Sequence, residues 1–377
     1  MCSQIIYSNI IMKNYKQFRN ELQHAYPVSK WKIKLPICTQ LLNLPNFDIN
    51  NFLWNIRDIY TRLVSVAQDK EKLLKYCSPK LVDMMTWNYT WMIRFDCILN
   101  TQWQIKLLEL NADYPDGILM HDYTYWILLN GKKNTKHLDM YLQFFDKTKT
   151  LYILYKQQFF LDSFYLEYEC LLDLWYNVFI WTRDELDFYD GQCYYRWIKI
   201  EQIRSCMDMS KFTAYQMDVL SNTSVFMLNS YDLWTLANKA LLQEIDHAYI
   251  PKTQFLTQDI ATHVIENKDN YVIKPIDMYE WIGVYLWNAT SHEDWKHLIE
   301  EYKNTNYIVQ EFVDMQKIKV ALYEDGGIVD KELYFDLCPH IFVKDGKIIG
   351  DGHILMRFSE NRILNVAKWG GIGYLKK

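Results

Sequence analysis

Four residues in one short stretch, Arg94, Asp96, Glu109 and Asn111, have the types and spacing to hold a magnesium ion beside a phosphate group. The stretch is WMIRFDCILNTQWQIKLLELNADYPDG, Trp91 to Gly117. It reads as two strands, Met92 to Leu99 and Gln104 to Asn111, about a turn at Asn100 to Trp103. Residues two apart in a strand share a face, so Arg94 goes with Asp96 and Glu109 with Asn111. Pairing about the turn would bring two carboxylates, an amide and a guanidinium onto one face. Carboxylate and amide oxygens suit Mg2+, and the cation beside them suits phosphate. Taken alone, the same stretch is equally an ordinary half-exposed hairpin.

Further along come two lysines, 35 residues apart. Lys239 lies in Asn238-Lys239-Ala240-Leu241-Leu242, on an expected helix. Lys274 closes the short β-branched strand Tyr271-Val272-Ile273-Lys274-Pro275, which proline stops. Another strand, Tyr307 to Val313, carries Gln310 and Glu311, and a C-terminal strand carries Arg357. There is no Walker-type phosphate loop, no GxSxG and no histidine-rich metal motif. Phosphoryl transfer asks little covalent chemistry of a protein. It needs cations against the phosphate oxygens, a bridging metal and a positioned acceptor, and these residues could supply the first two.

The elements that must position them are partly legible. Asp48 is placed to cap a helix whose apolar stripe is Phe52, Leu53, Ile56, Ile59, Tyr60, Leu63 and Val64. Ser78-Pro79 fits a second helix start. After Gly117 the chain reads as mainly helical, through Leu138 to Phe145 and the aromatic Leu151–Trp181 stretch, whose rings read as core. Residues 183–227 read as short strands and connecting helices, and the C-terminal part as a hairpin about Lys344-Asp345-Gly346-Lys347.

Composition narrows the class. Half of the 377 residues are hydrophobic and the net charge is −5, which fits a globular protein and argues against a basic nucleic-acid surface. Eight scattered cysteines without CxxC or zinc spacing fit core thiols in a reducing compartment. No signal peptide or membrane span is read from the sequence, so a cytoplasmic setting without membrane or nucleic-acid partners is expected. Thinly spread Pro and Gly favour a single compact unit, with approximate parts at 1–90, 91–230, 231–320 and 321–377. Residues 1–47 read as arms and a short helix.

The segments Arg94-Phe95-Asp96 and Lys106 to Asp113 (KLLELNAD) resemble the metal motif of glutathionylspermidine synthase and its shorter acid–amine ligase relatives. Asn238–Leu242 and Tyr271–Pro275 are similar to that family's two lysine segments, in the same order. Ile308–Phe312 is similar to its adenine-hinge strand, and Arg357 to its C-terminal active-site arginine. The resemblance spans roughly residues 50–360. It implies an α+β, circularly permuted ATP-grasp fold with a helical subdomain, since Glu109-Leu110-Asn111 precedes both lysines.

By the same resemblance, Asp96, Glu109 and Asn111 would ligate Mg2+, and Lys239 and Lys274 would hold the ATP phosphates. Gln310 and Glu311 would meet adenine, and Arg94 and Arg357 would stabilise the phosphoryl group. The implied activity is ATP-dependent ligation of a carboxylate to an amine through an acyl phosphate. An ATP-binding pseudoenzyme and a carboxylate kinase are the alternatives. The family's Thr-Pro-Thr is here Tyr114-Pro115-Asp116-Gly117, which argues against glutathione as the acid. Its Gly-rich phosphate loop is here Ile276 to Gly283, with one glycine. Asp184, Glu185, Asp187 and Asp190 are candidate contacts for a polyamine, or a solvated face.

Overall fold

The expected cap on the first long helix is present: the Asp48 carboxylate accepts from the backbone N–H groups of Asn50 and Asn51, starting helix Ile49–Gln68. The computed structural model describes residues 36–83, 90–112, 118–129, 134–155, 161–206, 212–222, 225–229, 232–278, 282–324, 327–362, 364 and 371–376. The expectations for residues 1–35 and for Tyr114–Gly117 fall outside these. The helix buries Phe52, Leu53, Ile56, Ile59, Tyr60 and Leu63 against the large sheet. Its Tyr60 hydroxyl accepts from the buried Trp91 indole N–H at 3.0 Å, which fixes helix to hairpin.

That hairpin is strands Trp91–Leu99 and Ile105–Asn111, turning where the Asn100 side chain accepts from the N–H groups of Gln102 and Gln104. Its register sets Arg94 opposite Asn111 and Asp96 opposite Glu109. Ile93, Phe95 and Cys97 face the long helix, leaving Met92, Arg94, Asp96 and Ile98 on the other face. Along the other edge of Trp91–Leu99 run strands Gly327–Cys338 and His340–Lys344, continuous but for Pro339. Strand Leu355–Ser359 pairs with the former, placing Arg357 opposite Asp336. Segments far apart in sequence thus form one nine-stranded sheet. The hairpin about Asp345-Gly346 is present, with both turn residues at positive φ.

The mainly helical reading of 118–181 is corrected in part. Helices Ile118–Leu128, Lys136–Leu142 and Leu161–Asp173 are there, but Leu151–Tyr155 and Val178–Trp181 are parallel neighbours in a four-stranded sheet. Gln202–Cys206 and Phe226–Leu228 complete that sheet, all its pairings being parallel. Parallel strands are apolar on both faces, so LYILY and VFIW show no alternation and read like helix surface. Asn229 joins this sheet to the hairpin: its side-chain oxygen accepts from Met92 N–H at 2.9 Å, and its amide donates to the carbonyls of Met92 and Ala112 at 2.9 and 2.8 Å.

A separate four-stranded antiparallel sheet carries the second lysine. Thr253–Phe255, Tyr307–Glu311, Tyr271–Pro275 and Tyr285–Leu286 lie in that order. Helices Gln258–Glu266 and His292–Tyr302 cover one face through Trp295, Ile299, Ala261 and Val264. Among the described residues no helix is long and apolar enough to cross a membrane.

Candidate active site

Asp96 is the centre of a buried chain of alternating charges. Its Oδ1 accepts from Arg94 Nε at 2.7 Å. Its Oδ2 accepts from Arg94 Nη2 at 3.1 Å, Arg357 Nη2 at 2.8 Å and Asn111 Nδ2 at 2.9 Å. Arg357 in turn donates its Nε to Asp336 at 2.8 Å and its backbone N–H to the same carboxylate at 3.0 Å. Burial by itself would raise the Asp96 carboxyl, but Arg357 and Arg94 hold it well below the usual carboxylate range. Asp336, also buried, is pushed up by burial against the pull of Arg357. Burial alone would lower both guanidiniums, yet the neighbouring carboxylates keep them above the ordinary arginine value.

Glu109, beside Asp96, meets the lysine from the other part of the molecule: Lys239 Nζ lies 3.5 Å from Glu109 Oε2. Lys239 starts a 3-10 helix, Lys239–Glu244, in place of the expected α-helix, capped by the Asn238 side chain on the Ala240 N–H. Its ammonium also donates to the Met278 carbonyl at 2.7 Å, within the Gly-poor loop; Tyr279, Glu280 and Trp281 lie outside the described residues. Lys274 is buried and donates to Gln310 Oε1 at 2.7 Å; Gln310 donates to Thr253 Oγ1 at 3.0 Å, and that hydroxyl to the Pro251 carbonyl. Burial pulls the Lys274 ammonium down to about 8, opposed by Glu109.

The structure therefore brings together Arg94, Asp96, Asn111 and Arg357 in direct contact. Lys239 joins them through Glu109, and Lys274 through its electrostatic coupling to Glu109 and Asp96. Gln310 is buried against Lys274, whereas Glu311 is exposed and pairs with the Lys252 backbone. The four acidic residues at 184–190 are all exposed, and Asp184 pairs with Arg183. Sequence reasoning passed over Asp336 and Thr253. Asp336 could be suspected as a carboxylate in the apolar run LYFDLC, but only register shows that it anchors Arg357. Four cations, Arg94, Arg357, Lys239 and Lys274, then face three carboxylates, Asp96, Glu109 and Asp336, an excess of one positive charge. Such a site favours a polyanion.

Among solved structures, the chain is similar to a glutathione synthetase-like effector from Globodera pallida in its apo form, with a TM-score of 0.63 and 10% identity over 97% of each chain. That likeness over both whole chains shows a shared fold. A looser likeness, TM-score 0.48 and 11% identity over 91% and 90% of the two chains, is to a provisionally assigned gamma-glutamylcysteine synthetase from Methylobacillus flagellatus KT. No protein-family model matches the sequence, and no curated protein does.

Proposed function

We propose that the protein is an ATP-dependent carboxylate–amine ligase with an ATP-grasp site of circularly permuted chain order. The observation that carries this is the 3.5 Å approach of Lys239 to Glu109, which sets a phosphate-binding cation against a Glu-x-Asn oxygen set. The fold shared with a glutathione synthetase-like protein supports it.

Mg2+ fits the residues present. Asn111 spends its amide nitrogen on Asp96, leaving its side-chain oxygen as a donor beside the half-buried Glu109 carboxylate. Glu109 and Asn111 would hold the ion, with Asp96 across the hairpin as the third candidate ligand. Bound there, Mg2+ would neutralise phosphate oxygens. Lys239 and Lys274 hold the triphosphate, and the strand at Gln310 and Glu311 offers the adenine contact. Arg94 and Arg357 stabilise charge as an oxygen of the acid attacks the γ-phosphorus and ADP leaves. The amine then attacks the acyl carbon, loses a proton, and expels phosphate carrying one oxygen of the original carboxylate.

A second reading, nucleotide binding without turnover, is favoured by one observation. The Met278 carbonyl already occupies Lys239, in a loop with Met278 exposed where the resembled family has glycines. An isotope experiment separates the two. With 18O in the carboxylate of candidate acids, Mg-ATP and an amine panel, one 18O per turnover appears in released phosphate. ATP binding with unlabelled phosphate, or with no phosphate released across the panel, contradicts the ligase reading.

A further inference from the structure

The sequence has no histidine-rich motif, yet the fold gathers four of the nine histidines beside the arginine–carboxylate chain. His121 and Asp122 come from helix Ile118–Leu128, and His137 from helix Lys136–Leu142. His340 lies on strand His340–Lys344 opposite Arg94, and His353 in the link before Leu355–Ser359. All five side chains are buried. Ring centres lie 4.9 Å apart for His137–His353 and His121–His340, 5.4 Å for His121–His137 and 5.7 Å for His137–His340. Imidazoles sharing one tetrahedral ion through bonds of about 2 Å have ring centres about 5 Å apart.

The tightest part is Asp122, His137 and His353, whose ligand atoms all lie within 4.8 Å of one another. Asp122 Oδ1 is 3.0 Å from His137 Nδ1 and 3.4 Å from His353 Nε2, close to the ligand–ligand spacing about such an ion. The carboxylate is fixed from behind by the N–H groups of His137 and Leu138, at 3.0 and 2.8 Å, the outer support that orients metal ligands. His340 is the independent sign: fully buried, it has no hydrogen-bond partner on either ring nitrogen among the described residues. Two imidazoles and a carboxylate suit a borderline transition ion and suit Mg2+ poorly.

We infer that Asp122, His137 and His353 bind a divalent transition ion of the Zn2+ class, with His340 the neighbour placed to supply a fourth ligand. The ion replaces the hydrogen bonds these atoms now share. Each imidazole stays neutral, its proton on the nitrogen facing away from the ion. For His137 that nitrogen is Nε2, now 3.2 Å from the His353 N–H, so this peptide and the His353–Asn134 hydrogen bond must adjust. The change falls in the link after Gly352, between two strands. The ion would clip both helices to the large sheet. This site stands independently of the ligase reading.

The test uses tag-free, chelator-stripped protein titrated with Co2+. One equivalent is expected to give the visible bands of a four- or five-coordinate ion, displaced by Zn2+ and not by excess Mg2+, and Zn2+ should raise the Tm. His353→Gln and Asp122→Asn should each lose the bands. X-ray absorption of Zn2+-loaded wild type should show at least two imidazoles, which settles the ligands even where a variant fails to fold. Folded wild type without bands, an ion bound by oxygen alone, or bands retained in either folded variant would overturn the site.

Discussion

Lys274 is the side chain on which the response of the site to pH turns. Burial brings its ammonium down to about 8 from the usual 10.5, so it is mostly charged at pH 7 and loses its charge as pH rises through 8. The unfolded chain holds this proton up to about pH 10. Stability therefore rises with pH between those values, relieving a burial cost of about 3 kcal/mol. For a bound triphosphate the sign is opposite, since only the ammonium pairs with phosphate. Mg-ATP affinity is expected to be level to pH 8, then to fall about tenfold per unit above it. Titrations from pH 7 to 9.5 check this; an affinity unchanged across that range would remove Lys274 from the phosphate site. Around Asp96 the charges are mutually dependent, for one buried carboxylate serves two partly buried guanidiniums. Spacing and the turn sufficed to bring Arg94, Asp96, Glu109 and Asn111 onto one face, as the register has them. The link through Arg357 to Asp336 joins residues 261 and 21 positions apart, and no local pattern carries it.

At the scale of elements, the hairpin holds its place because Asn229 satisfies three backbone groups of Met92 and Ala112. Asn229→Ala leaves those groups without partners inside the protein. It should cost about 2–5 kcal/mol, read as a lowered urea midpoint at unchanged slope. A loss under 1 kcal/mol would mean that the hairpin is positioned mainly by the long helix. Helix Ile49–Gln68 was legible because it buries one face, which writes a period into the sequence; strand Trp91–Leu99 is buried on both faces and was legible because Arg94 and Asp96 break its apolar run two residues apart. The parallel strand Leu151–Tyr155 is buried on both faces from Leu151 to Leu154 and writes no period, and Val178–Trp181 is four apolar residues with no alternation to read. The histidine cluster was hidden for another reason: its members come from two helices, a strand and a link, so their spacing carries no signature.

For the molecule as a whole, the large sheet and the smaller antiparallel sheet contribute opposite halves of one site. The first supplies carboxylate and amide oxygens and guanidiniums, the second Lys274 and Gln310, and Lys239 stands between them against Glu109. Chain order made these parts recognisable from short motifs, while the excess positive charge became countable only once Asp336 was placed. By the function proposed above, this convergence binds Mg-ATP. Calorimetric titration of the wild-type chain and of Lys274→Ala at pH 7 tests it most directly. Saturable binding of one Mg-ATP per chain, weakened at least about tenfold by the substitution, is predicted; no binding by folded wild type, or equal binding by both, would contradict it.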